Sequence, residues 1–62
     1  MGTEFLDRLV SQLKIGKDPA VRRAIERISD DIKKRYHNGQ YKNPTEAERD
    51  LRQLVEREEN GK

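Results

Sequence analysis

The fold is decided by residues 18–39, which read DPAVRRAIERISDDIKKRYHNG. Within this stretch an apolar side chain recurs every three or four residues, with Ala24 beside the series Val21, Ile25, Ile28, Ile32 and Tyr36. This spacing places the series on one face of an α-helix, which has about 3.6 residues per turn. Val and Ile have no strong intrinsic preference for helices, so we expect packing against other elements to hold the segment.

The chain reverses direction on both sides of this helix, and both reversals carry the same signals. Each has a glycine followed by an Asx-Pro pair, namely Gly16 with Asp18-Pro19 and Gly39 with Asn43-Pro44. Glycine is favoured just after a helix ends, while Asp or Asn caps the next helix and Pro takes its first position. The sequence therefore predicts helices over about 3–14, 18–37 and 44–58.

The two flanking helices carry apolar faces that match the central one. These faces consist of Leu6, Leu9, Val10 and Leu13 in the first helix, and of Ala47, Leu51, Leu54 and Val55 in the third. Short connections make consecutive helices antiparallel neighbours. We therefore predict an all-α, up-down-up three-helix bundle that occupies residues 1–62 as one domain, with the central helix longest. Asn43 and Glu46 stand at the spacing of a capping box.

Two segments admit a second interpretation. Asn38-Gly39 is also the favoured type I′ hairpin turn, which would give a small β-wing. Its strands would be too short to stand without a sheet partner, so we favour a helix end there. Residues 2–5, Gly-Thr-Glu-Phe, are what two adjacent restriction sites encode behind a start Met. Residues 1–5 are therefore either derived from cloning or include a true core residue, Phe5.

Length and composition exclude several classes of function. The chain has 62 residues, 42% of them charged, a formal net charge of +2 and no Cys. It therefore has no disulfide framework and no Cys-based zinc site, and it has no apolar run of the roughly 20 residues that a membrane span needs. The lack of Cys fits a reducing, intracellular location such as the cytoplasm. We expect no membrane partner.

The sequence offers little catalytic chemistry. His37 is the only imidazole, and no metal-ligand or acid–base partner stands at a suitable spacing from it. Asp30 and Asp31 are adjacent, and neighbouring residues on a helix do not face each other. The four glycines are isolated, so no phosphate-binding loop is present. We expect a protein that is not an enzyme and that uses no metal, cofactor or small molecule.

Two surfaces are candidates for binding a macromolecule. The first is a basic and aromatic cluster at the second reversal, suited to nucleic acid, and comprises Lys33, Lys34, Arg35, Tyr36, His37, Tyr41 and Lys42. A further basic group, Arg22, Arg23 and Arg27, falls on the outer face of the central helix. The second surface is the part of the central stripe that the other helices leave uncovered, comprising Ala24, Ile28, Ile32 and Tyr36.

Of these two, the uncovered stripe gives the favoured interpretation. It predicts a non-catalytic protein–protein interaction or dimerisation module, whose partner is another protein or a second copy of the chain. The alternative is a small nucleic-acid-binding domain that uses the basic cluster. A net charge of +2 is low for a nucleic-acid-binding domain of this size.

Overall fold

The computed structural model describes residues 2–61, which form three α-helices and no strand. Helix α1 spans Glu4–Lys14, α2 spans Pro19–His37 and α3 spans Pro44–Asn60. All three pairs of helices are in contact, which confirms the predicted all-α three-helix bundle with the longest helix in the centre. Met1, the first of the five residues with two interpretations, and Lys62 lie outside the described residues.

The core is aliphatic and receives side chains from every helix. Its buried apolar residues are Leu6, Leu9, Val10, Ile25, Ile32, Ala47, Leu51 and Val55. Among residues 2–61, Ser29 is the one polar residue that is equally buried. The three apolar faces seen in the sequence therefore cover one another along most of their length.

Both reversals begin with a glycine in the left-handed region of φ. Gly16 has φ of 75° and Gly39 has φ of 79°, which glycine adopts without steric cost. The residue before Gly39 excludes the hairpin interpretation, because Asn38 has φ of −80° and a type I′ turn needs positive φ at both central positions. Asn38 instead ends α2, and its N–H donates to the carbonyl of Lys34.

The start of α3 uses a modified capping box. The Oδ1 atom of Asn43 accepts a hydrogen bond from the N–H of Glu46 at 3.0 Å, as the sequence predicts. Oε1 of Glu46 accepts from the N–H of Lys42 at 2.9 Å, one residue before the donor that a standard capping box uses. The start of α2 differs, because the Asp18 side chain makes no capping hydrogen bond.

Phe5 belongs to the bundle. Its ring is half-buried, packs against the core and meets Tyr36 of α2 edge to face. The first turn of α1 is thereby attached to the last turn of α2. Phe5 thus lies at the edge of the core, in contact with it.

Candidate interaction surfaces

The buried side chains of residues 2–61 are almost all apolar. The core is aliphatic apart from Ser29, and His37 lies exposed at the end of α2. Residues 2–61 hold no group of three or more His, Asp or Glu side chains placed to share a metal ion. No helix in this part of the chain is both long enough and apolar enough to cross a bilayer.

The predicted basic cluster is divided between the two sides of α2. Lys33 lies on the side that faces α1, where its Nζ atom is 2.7 Å from Oδ1 of Asp7. The hydrogen bond with Asp7 raises the pKa of Lys33 above its ordinary value. Arg35 lies on the other side, which faces α3, and its guanidinium contacts Asp31 at 3.1 Å and Asp50 at 3.7 Å.

Tyr41 contacts the same residue of α3 as Arg35 does, Asp50. Its hydroxyl donates a hydrogen bond to Oδ2 of Asp50 at 2.7 Å. Burial and this hydrogen bond raise the pKa of Tyr41, because both disfavour the phenolate beside a carboxylate. Asp50 therefore accepts from the Tyr41 hydroxyl and pairs with Arg35, so both of these cluster members have a partner within the bundle.

The remaining members of the cluster differ in their exposure. Lys34, His37 and Lys42 are exposed, whereas Tyr36 is half-buried against the core. Sequence reasoning missed the carboxylates that divide the cluster, since Asp7 and Asp50 are far from it along the chain. One signal was available: Lys33 and Arg35 flank the apolar stripe, so each points toward a neighbouring helix.

The predicted protein interface is largely covered. Ile32 is fully buried in the core, so the expectation that it remains partly exposed is wrong, because α1 and α3 together close over it. Ile28 and Tyr36 are half-buried and pack against the core. Ala24 is half-buried as well. The accessible remainder of the stripe is therefore Ala24 with the edges of Ile28 and Tyr36, of which Ala24 and Ile28 are one helical turn apart.

Beside Ile28 lies an open depression, here called the α2 depression. Its volume is about 490 Å³, and it is lined by Arg27, Ile28, Asp30, Asp31 and Lys34. The lining thus combines one apolar side chain with two acidic and two basic ones, and is formally neutral. Asp31 also forms an i,i+4 ion pair with Arg35, whereas Lys34 has no ion-pair partner among residues 2–61.

A second open depression lies where α1 turns into α2, and it is here called the turn surface. Its volume is about 390 Å³, and it is lined by Ser11, Lys14, Ile15, Gly16, Lys17 and Arg22. Ile15 is 76% exposed and is the one large apolar side chain of residues 2–61 that is exposed. The sequence pattern did not single out Ile15, because it falls outside the apolar period of α1.

The cations of the turn surface differ in their partners. Lys14 pairs with Glu26 of α2, and Nζ of Lys17 lies 2.5 Å from Oε2 of Glu59 near the end of α3. Arg22 is exposed and pairs with no carboxylate among residues 2–61. Neither Glu26 nor Glu59 lines the depression, so all the charged residues of its lining are basic.

Comparison of the chain with protein-family models, curated proteins and solved structures returns no match. Function is therefore inferred from the two depressions and from the charges around them.

Proposed function

We propose that the chain is a non-catalytic protein-interaction module that associates with a second copy of itself through the α2 depression. The observation that carries the proposal is the lining of this depression, with Ile28 among two acidic and two basic side chains. Protein interfaces combine an apolar centre with a polar rim, and the half-buried edge of Ile28 beside these charges has that composition.

Equal numbers of opposite charges also make a surface complementary to its own copy. In a two-fold dimer the same patch meets itself, so each acidic residue of one copy can approach a basic residue of the other. Ala24 lies one turn from Ile28 on the same side of α2, and its small side chain lets a second helix come close. A domain of this size gains stability from association, because its own core supplies only roughly 3–5 kcal/mol.

The first test is sedimentation equilibrium over a wide range of chain concentrations, together with melting temperature against concentration. Self-association predicts an average mass and a melting temperature that both rise with concentration. Ala24→Glu should shift the chain toward monomer without removing a core side chain. Gln53→Glu is the matched control, since it adds the same charge at an exposed site on α3. A chain that stays monomeric at the highest concentration contradicts self-association.

A charge-reversal experiment tests the complementarity directly. One variant carries Asp30→Lys and Asp31→Lys, and the other carries Arg27→Glu and Lys34→Glu. Each variant alone has a depression of one sign and should be monomeric, while the mixture should form a heterodimer. Loss of the surface pair between Asp31 and Arg35 should cost little stability. A mixture that remains monomeric while the unaltered chain dimerises would place the interface elsewhere.

Nucleic-acid binding is the second candidate function. The observation that favours it is that Arg22, Arg23 and Arg27 are exposed and pair with no carboxylate among residues 2–61. Arg35 and Tyr41 both contact Asp50, which weakens the case for the basic cluster as the nucleic-acid-binding surface. Binding to short duplex DNA or single-stranded RNA should then fall steeply as salt rises, since phosphate contacts release counterions. Affinity that does not depend on salt would reject this candidate.

A further inference from the structure

The turn surface has two properties that the α2 depression lacks. Its lining includes three cations and no carboxylate, although Glu26 and Glu59 pair with two of these cations from beyond the lining. It also includes Ile15, which is 76% exposed. A single exposed apolar side chain is common on protein surfaces. Ile15, however, lies in a depression whose charged lining residues are all basic.

We propose that the turn surface binds an acidic segment of a second, different protein, which places carboxylates against Arg22 and the lysines and an apolar side chain against Ile15. This inference rests on the proposed function as a protein-interaction module, but it uses another surface and another partner than self-association does. Charge complementarity identifies the partner's acidic character, and Ile15 identifies its apolar contact.

Arg22 is the strongest candidate for a direct contact with the partner. Its guanidinium has no carboxylate partner within the described bundle, so binding a carboxylate costs it no existing ion pair. A guanidinium can also hold a carboxylate through two parallel hydrogen bonds. Lys14 and Lys17 already have Glu26 and Glu59, so they contribute chiefly to the field of the surface.

Ile15 is presented on an ordered backbone. Its own N–H donates to the carbonyl of Gln12 at 3.3 Å, and the N–H of Lys17 donates to the carbonyl of Lys14 at 3.2 Å. Ile15 has extended backbone angles, and Gly16 supplies the positive φ that closes the turn. A side chain carried on an ordered backbone avoids the entropic cost of ordering the loop on binding, which favours its use as an anchor.

The same surface is poorly suited to nucleic acid. Binding of unpaired bases relies on aromatic side chains on which they stack. No aromatic residue lines the turn surface, and Tyr36 lies 14 positions further along α2 than Arg22, about 21 Å away along a helix axis. An isolated apolar side chain such as Ile15 has no natural contact with a phosphate backbone. An acidic protein segment satisfies both features of the surface.

The experiment is a titration of the isotopically labelled full chain, followed by amide chemical shifts. The probe is a synthetic peptide rich in Asp and Glu that carries Leu residues. Its two controls replace the Leu residues by Ser, or the carboxylates by amides. Single-stranded RNA of similar length is the competing ligand. We expect the acidic, Leu-containing peptide to shift amides around Ile15, Gly16 and Arg22, and each control peptide to bind about tenfold more weakly.

Variants of the chain separate the two contributions. Ile15→Thr keeps a β-branched side chain in the extended backbone but removes its apolar end, and should weaken the peptide about tenfold. Arg22→Gln should weaken it by about threefold to tenfold. Arg52→Gln, at an exposed site on α3, is the charge-matched control and should leave peptide binding unchanged. All these sites are exposed, and unaltered melting temperatures should confirm that each variant folds.

Three outcomes overturn the proposal: no binding of the acidic peptide, equal binding of the Ser-substituted peptide, or tighter binding of RNA to the same residues. None of them depends on whether the chain dimerises. A monomeric chain that binds the acidic peptide through Ile15 and Arg22 would support this inference while rejecting self-association. A chain that dimerises but does not bind the peptide would support self-association and reject this inference.

Discussion

Phe5 and Tyr36 meet edge to face, with ring centroids 5.3 Å apart and ring planes inclined by 68°. This contact joins the first turn of α1 to the last turn of α2. The ion pair between Lys33 and Asp7 lies at the same end of the bundle. Tyr36, one of the two aromatic residues that the sequence offers to a nucleic-acid base, therefore already packs edge to face against a residue of the chain itself.

Replacing Phe5 should destabilise the bundle measurably. Phe5→Ala removes a half-buried ring and its contact with Tyr36, so we expect the free energy of unfolding to fall by about 2 kcal/mol. Urea denaturation followed by circular dichroism measures the change. A double-mutant cycle with Tyr36→Leu should return a coupling of about 0.5–1.5 kcal/mol. A fall below about 0.5 kcal/mol would show that the first turn of α1 is dispensable.

Two isoleucines of α2 should differ in their contributions to stability. Ile32 is fully buried and Ile28 only half-buried, although both belong to the same apolar stripe. Ile32→Ala should cost about 3 kcal/mol and leave a substantial unfolded fraction. Ile28→Ala should cost less than half as much. Thermal unfolding of the two variants side by side measures the difference, and equal losses would contradict the placement of these residues.

The bounds of the helices could be predicted because local chemistry sets them. Gly16 and Gly39 end helices, and Pro19 and Pro44 begin them, through backbone preferences that do not depend on distant residues. The predicted end of α3 at 58 falls two residues short of Asn60, although Gly61 directly follows the helix as its C-cap. The apolar stripe of α3 stops at Val55, so periodicity does not mark the last turn, and helix ends are the least predictable part of the pattern.

The two Asx residues that precede α2 and α3 should have unequal effects. The Asn43 side chain accepts a hydrogen bond from Glu46, whereas the Asp18 side chain makes no such bond. Asn43→Ala should therefore cost about 1 kcal/mol, and Asp18→Ala clearly less. Urea denaturation of both variants provides the comparison. The order would be reversed if Asp18 were the stronger cap in solution.

The stability of the bundle should fall in alkaline solution through Tyr41. Its pKa is raised above the ordinary value of 10.0, chiefly by burial and then by the hydrogen bond to Asp50. A raised folded-state pKa contributes stability that is present below pH 10.0 and is lost as pH rises through the folded value. Tyr41→Phe should lose this part of the pH dependence and keep the part due to Lys33. Ultraviolet absorbance of the phenolate and denaturation against pH both test it.

The partners of the basic residues could not be predicted from the sequence in the same way. Arg35 with Asp31 follows from spacing within one helix, and the structure contains that pair. Arg35 with Asp50 and Lys33 with Asp7 depend on how helices are aligned against one another, which local patterns do not specify. The sequence therefore predicted that basic residues gather at the second reversal, but not that Lys33 and Arg35 form ion pairs with carboxylates of other helices.

The contact between Lys17 and Glu59 has a consequence for how the turn after α1 and the end of α3 respond to each other. It connects the turn after α1 to the last turn of α3, although 42 positions separate the two residues in sequence. An acidic ligand of the kind proposed for the turn surface would compete with Glu59 for Lys17, and by thermodynamic linkage a firmly held Glu59 would oppose that ligand. Binding of such a ligand to the turn surface should thus appear as faster amide hydrogen exchange in the last turn of α3.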